Sequence, residues 1–239
     1  MKKIGLLGVS ILFSLVLFAQ KQINDPLAQV RKVSGFHSIK VSNGIKVYLT
    51  QGAEAVAVSA SKEEYRDKIV TRVENGVLKI YYDQETLKFW KYKNMKGVNP
   101  VAYVSIDKVD GLDIASGASV VTDGTIKGDK LDLDVSSGGT FRGAVTFDGV
   151  SVDQSSGAVV NISGTANSLS VDGSSGSAFH GFELVVNNCS ADVSSGASIQ
   201  ITMNKEMSAE ASSGGSVTYK GNGVIRNVKT GSGGAVRKG

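Results

Sequence analysis

The groups in this chain that could do acid–base or nucleophilic work are few: two histidines, His37 and His180, and one cysteine, Cys189, alongside scattered carboxylates. A Ser-His-Asp triad needs a histidine between a hydroxyl and an acid, and only His180, with Asp172 or Ser198, has partners at plausible spacing. Polysaccharide lyases built on long β-helices cluster Asp with a Lys or Arg on one sheet, and Arg142 with Asp153 is the nearest equivalent. Neither set is accompanied by long loops that would wall a cleft, so no catalytic residue is assigned. One Cys and two His cannot build a disulfide framework or a His/Cys metal centre, so no metal site and no cofactor are expected. Two further sets could bind rather than react. Asp113, Asp134, Asp153, Asp172, Asp192 and Glu210 recur at near-constant spacing and end at Lys229, beside a second series of Ser136, Ser155, Ser174, Ser194 and Ser212. On neighbouring strands about 4.8 Å apart such carboxylates repel by about 0.5 to 1 kcal/mol each. Calcium wants six to eight oxygens converging on one point, so a flat row reads as solvated surface. The last set is the aromatic and basic run Phe89-Trp90-Lys91-Tyr92, whose rings offer contact area at low entropic cost; Phe89, Trp90 and Tyr92 are the candidate ligand-binding residues, against the plainer role of covering one end of the fold.

These residues must be positioned by a repeat. Ser-Gly recurs seven times, at Ser116-Gly117, Ser137-Gly138, Ser156-Gly157, Ser175-Gly176, Ser195-Gly196, Ser213-Gly214 and Ser232-Gly233, with glycines 21, 19, 19, 20, 18 and 19 residues apart. Such a period means stacked supersecondary units. Aligned on the glycine, the position five before it is apolar in every copy (Leu112 to Val228), and so is the position three after it (Val120 to Val236). The positions adjoining these are polar: the acids on one side, and Arg142, Asn161, His180 and Gln200 among the residues on the other. Period-two alternation on both sides of a glycine describes two half-buried strands joined at a corner. About nineteen residues is too short for a propeller blade and lacks the helix of a leucine-rich repeat. The expected fold is therefore all-β, a parallel β-helix (β-solenoid) of about 19-residue coils with a β-rich N-terminal portion, its seven coils stacking to a length on the order of 35 Å. Glycine at the corner supplies positive φ, and a Cβ at Gly157 is expected to find no room. Arg226, Lys229, Arg237 and Lys238 make the last coil polar, which guards an open edge.

Before the repeats, Phe36 to Ala60 alternates in the same way, with Asn43-Gly44 standing where Ser-Gly stands later, so a divergent coil is expected there. Residues 61–68 are polar, with room for one helical turn. Asn75-Gly76 between alternating segments is a two-residue hairpin signal. Met1-Lys2-Lys3 followed by an uncharged apolar stretch from Ile4 to Phe18 reads as a secretory signal peptide, too short for a spanning helix. The organisation is then a signal peptide over 1–20, a β-rich region with divergent coil and hairpin over 21–110, and regular solenoid repeats over 111–239. With 26 basic and 22 acidic residues the net charge is only +4, so no nucleic-acid partner is implied. Cys189 falls in a repeat column that reads as buried.

The stretch Val41-Ser-Asn-Gly-Ile-Lys-Val-Tyr-Leu-Thr-Gln-Gly52, followed by the Ser-Gly repeats, resembles the head GIN domain family of putative autotransporter adhesins over roughly residues 33–236. The resemblance implies an all-β, β-helical fold and a place in the periplasm, at the cell surface or outside the cell. It brings no catalytic residues. The functional expectation is an exported, non-enzymatic, adhesin-like protein that binds a glycan or a cell-surface protein, with no membrane span once the leader is cleaved. A carbohydrate-active enzyme, lyase or hydrolase, with a groove along one sheet is the alternative. It requires converging carboxylates in a concave cleft.

Overall fold

The alternating segments become extended chain throughout. The computed structural model describes residues 24–93 and 97–239, with side chains outside 89–93. Short elements come first: strands β1 (Gln29–Arg31), β2 (Ser38–Val41), β3 (Lys46–Gln51) and β4 (Ala55–Ser59), helix α1 (Glu63–Arg66), strands β5 (Ile69–Glu74) and β6 (Val77–Tyr82), helix α2 (Gln84–Lys93), then β7 (Val101–Ile106) and β8 (Gly111–Ile114). Long strands follow: β9 (Ser119–Val135), β10 (Thr140–Gln154), β11 (Val159–Gly173), β12 (Ala178–Val193) and β13 (Ser198–Ala211). The chain finishes with β14 (Ser216–Lys220), β15 (Val224–Thr230) and β16 (Ala235–Lys238). β9 to β13 pair in parallel, each with the next, and the whole is a parallel β-solenoid of about seven turns.

Each Ser-Gly pair forms a tight turn with both residues at positive φ, 52° at Ser156 and 71° at Gly157 for example. Positive φ at both central positions is the type I′ signature. The Ala158 N–H donates to the Ser155 carbonyl at 3.1 Å to close it. The Gly157 N–H points along the stack instead and donates to the Ser175 carbonyl of the next coil, also at 3.1 Å. Asn43-Gly44 repeats this arrangement, with φ of 62° and 71° and the Gly44 N–H donating to the Ser116 carbonyl at 3.0 Å, so the N-terminal segment does contain a divergent coil. Asn75-Gly76 closes the expected hairpin between β5 and β6, and α1 supplies the helical turn in 61–68.

Two expectations are corrected. A Cβ added at Gly157 would meet nothing within 4 Å, so the corner requires glycine for its backbone conformation and not for space. Space is short at Gly164, where φ is 109° and an added Cβ would collide with the Val145 carbonyl oxygen. Nor is each coil two strands with two turns. From β9 to β13 the chain runs from one Ser-Gly turn to the next as one strand of 14 to 17 residues and bends through β-bulges and register shifts where a second turn was expected; only the coil after Gly214 divides into two strands, β14 and β15.

The predicted apolar columns stack in register. Leu112, Leu133, Val152, Val171, Ala191 and Ala209 lie side by side across successive strands, and so do Val120, Phe141, Val160, Phe179, Ile199 and Val217; all are buried. Ile39 and Val47 extend both columns into the N-terminal strands, so β2 and β3 stack directly on the first repeat coil. Each side chain there touches like neighbours above and below, which is how thin layers share one core. The columns fail at the last coil, where Val228 is 43 % exposed although its neighbour Ala209 is 4 % exposed. At the other end the parallel pattern stops: β5 runs antiparallel to β6, and β4 runs antiparallel to both β7 and β1.

Candidate functional site

The outward neighbours of the second apolar column are Arg142, Asn161, His180 and Gln200, and strand pairing sets them in one file, one per coil. All four end in flat groups that donate or accept in a plane. The His180 Nδ1 lies 3.3 Å from the Gln200 Oε1, so the file is tied laterally. Beside it opens a trough of about 640 Å³, within the range of small-ligand sites.

Unequal coil lengths make this trough. Between the pairs Arg142–Val121 and Ala144–Thr125, β9 carries Thr122, Asp123 and Gly124 opposite the single residue Gly143. On the far side, β12 carries Gly181 and Phe182 opposite the single residue Ile162, between Asn161–His180 and Ser163–Glu183. Extra residues in a strand are pushed out of the ladder. Asp123 and Gly124 are accordingly exposed; Glu183, which has no ladder partner on β13 between Gly181–Ile201 and Val185–Thr202, is exposed too, and the half-buried Gly143, Ala144 and Ser163 with the buried Ile162 form the floor between them. The Lys220 ammonium lies 4.2 Å from the centre of the Phe182 ring and braces that side. The trough lining carries one guanidinium, Arg142, one carboxylate, Glu183, the amides and imidazole of the file, and the hydroxyls of Thr122, Thr125 and Ser163.

The other candidates fall elsewhere. Asp153 belongs to the file on the opposite side of the Ser-Gly turn, so it is not brought to Arg142. His180 pairs with Gln200 rather than with Asp172 or Ser198. The acidic column forms in perfect register, Asp113, Asp134, Asp153, Asp172, Asp192 and Glu210, and it is closed by lysine at both ends: Lys40 bonds Asp113, and Lys229 lies 3.4 Å from Glu210. Burial, then the neighbouring Asp113 and Asp153, push the Asp134 carboxyl above its usual range; burial, then Asp192 and Asp153, do the same to Asp172. No cluster of His, Cys, Asp and Glu among the described residues has the geometry to hold a metal ion. Cys189 is buried, and burial pushes its thiol up to about 12, which leaves it inert. Phe89, Trp90 and Tyr92 lie on helix α2, which the sequence pattern did not announce; their side chains are outside the described residues. The trough itself was missed, although the glycine spacings of 21 and 20 mark the two coils, β9 and β12, that carry the extra residues.

Residues 35–223 match the family described as putative auto-transporter adhesin, head GIN domain. The chain belongs to this family. Its solenoid is also found in solved structures of low sequence identity, a level at which the likeness shows the fold alone. A putative adhesin from Bacteroides fragilis aligns with a TM-score of 0.78 at 17 % identity, covering 88 % of this chain and 95 % of that one. A putative adhesin from Parabacteroides merdae aligns at 0.67 and 15 % identity, covering 89 % and 95 %. A putative lipid binding protein from Parabacteroides distasonis aligns at 0.65 and 18 %, covering 89 % and 96 %. No curated protein matches the sequence. Among the described residues of this head GIN domain no helix is long and apolar enough to cross a membrane.

Proposed function

We propose that this head GIN domain protein is exported and acts as a non-enzymatic, adhesin-like binder that holds a glycan or a cell-surface protein on the outer face of its coils. The basic, then apolar, first twenty residues support export, and the proposed division is a leader over 1–20, an N-terminal region over 21–110 and repeats over 111–239. The observation that carries the binding role is the trough between the bulges of β9 and β12, a concavity on the stack lined by polar and apolar groups alike. The enzyme reading finds little support, because the trough lining contributes a single carboxylate, Glu183, where glycoside hydrolysis needs an acid and a second carboxylate. Phe89, Trp90 and Tyr92 of α2 are a second contact surface in the same proposal. The test is a saturable binding isotherm of the purified mature chain on intact bacterial and animal cells, with Trp90→Ala alongside. Saturable binding with no release of sugar fragments supports the role, and linear, non-saturable uptake on every surface sinks it.

A further inference from the structure

We infer that the trough over β10 and β11 is a seat for an uncharged oligosaccharide of about three residues. This rests on the adhesin reading and names its ligand class. The lining carries Arg142 and Glu183, which cancel in formal charge, and adds planar donors and acceptors from Asn161, His180 and Gln200. Paired hydroxyls on neighbouring ring carbons need both a donor and an acceptor within reach, and forked guanidinium, amide and carboxylate groups present both in one plane. With Arg142 and Glu183 in one lining, an anionic or a cationic ligand meets a like charge as well as an opposite one, whereas an uncharged ligand meets no repulsion and can use both groups as hydrogen-bond partners. An apolar peptide would leave these polar groups without partners, whereas the apolar lining of Val121, Ala144, Ile162 and Phe182 suits the C–H faces of sugar rings whose hydroxyls reach the polar groups. Length follows from the walls. The bulged strands β9 and β12 are three rungs apart, about 14 Å, and a pyranose ring in an extended chain occupies close to one rung of about 4.8 Å. Arg142, Asn161 and His180, on β10, β11 and β12, then meet successive sugars, one coil to each, and Gln200 on β13 holds the His180 ring.

The experiment titrates the mature chain with neutral gluco-, manno- and galacto-oligosaccharides of one to five residues and with uronic-acid oligomers of the same lengths. We expect at least one neutral series to bind, with affinity rising to about three residues and levelling there. Arg142→Ala, Asn161→Ala and Glu183→Gln are expected to weaken that binding about tenfold or more with unchanged melting temperature. Asp153→Asn, in the opposite file, keeps the wild-type Kd. Binding of uronates alone, binding of no series, or neutral binding that all three trough variants retain would overturn the seat. Periodate treatment of cells, which destroys vicinal diols, separates the two levels of inference: binding to cells that survives it overturns the sugar seat and leaves the adhesin role, whereas absence of binding to untreated cells overturns both.

Discussion

Gln154 is the residue most at odds with its surroundings. It is buried in the column that holds Val135 on the coil before and Gly173 on the coil after, and neither its Oε1 nor its Nε2 has a hydrogen-bond partner among the described residues. The missing side chain of Gly173 gives the amide space, with the Gln154 Nε2 3.4 Å from where a Cβ would stand. An unsatisfied buried amide costs about 1 to 3 kcal/mol, so Gln154→Met, similar in volume and without donors, should raise stability by about that amount in urea titrations. A lower midpoint for this variant would mean that the amide has a partner after all. The glycines divide by cause. Gly157→Ala places a Cβ into open space at positive φ and should cost about 1 to 2 kcal/mol. Gly164→Ala should cost more, because the Val145 carbonyl it meets is backbone and cannot rotate away. Equal losses at the two sites would contradict that distinction. Nothing in the composition separates these glycines; only the neighbouring coil does.

At the scale of an element, the acidic file is a liability that the fold tolerates. Its carboxylates stack because the apolar column beside them fixes the register, and a one-residue slip would turn every valine outward. The Asp153 charge, after burial, helps to raise the values at both Asp134 and Asp172. A carboxyl whose folded value lies above its unfolded value of 3.8 destabilises the fold when ionised, so the strain is fully present at neutral pH and disappears as pH falls through the raised values toward 3.8. Asp153→Asn is expected to raise the Tm at pH 7 and in low salt, and the gap to wild type should close as pH falls toward 4 or as salt is added. A gap that is constant with pH would show that something other than charge produces it. Lys40 and Lys229 close the file at its two ends, where a seventh and an eighth carboxylate would otherwise prolong the repulsion. The bulges of β9 and β12 are the other feature of this scale. They break strict repetition at two coils and so create the trough described above.

For the whole molecule, stability should be a sum of neighbour terms along the stack. Coils β10 to β12 are covered on both sides. The last coil is covered on one, with Val224 60 % and Val228 43 % exposed. Hydrogen exchange should therefore be slowest in β10 to β12 and fastest in β15 and β16, with protection falling coil by coil. Uniform protection from β9 to β16 would imply all-or-none opening and reject the additive picture. Much of this architecture was legible in the chain. The Ser-Gly period, the two apolar columns and the Asn-Gly signals led to the solenoid, the divergent coil and the hairpin, because in-register stacking forces equivalent residues into equivalent environments. The columns misled at their last members, Val228, which is exposed, and Val236, which is only partly buried. The site was half legible. Arg142, Asn161, His180 and Gln200 could be read as one outward file, since alternation assigns a face. That the file borders a trough could not, because an extra residue in a coil has two outcomes, a longer corner or a bulged strand, and only pairing with the adjacent coils selects between them. Helix α2 was invisible for a related reason: its ten residues show no apolar stripe strong enough to announce a helix. Sequence by itself determined which side chains repeat and which way each faces; the tertiary structure alone decided where the repeat is broken, and concavity arises from that break.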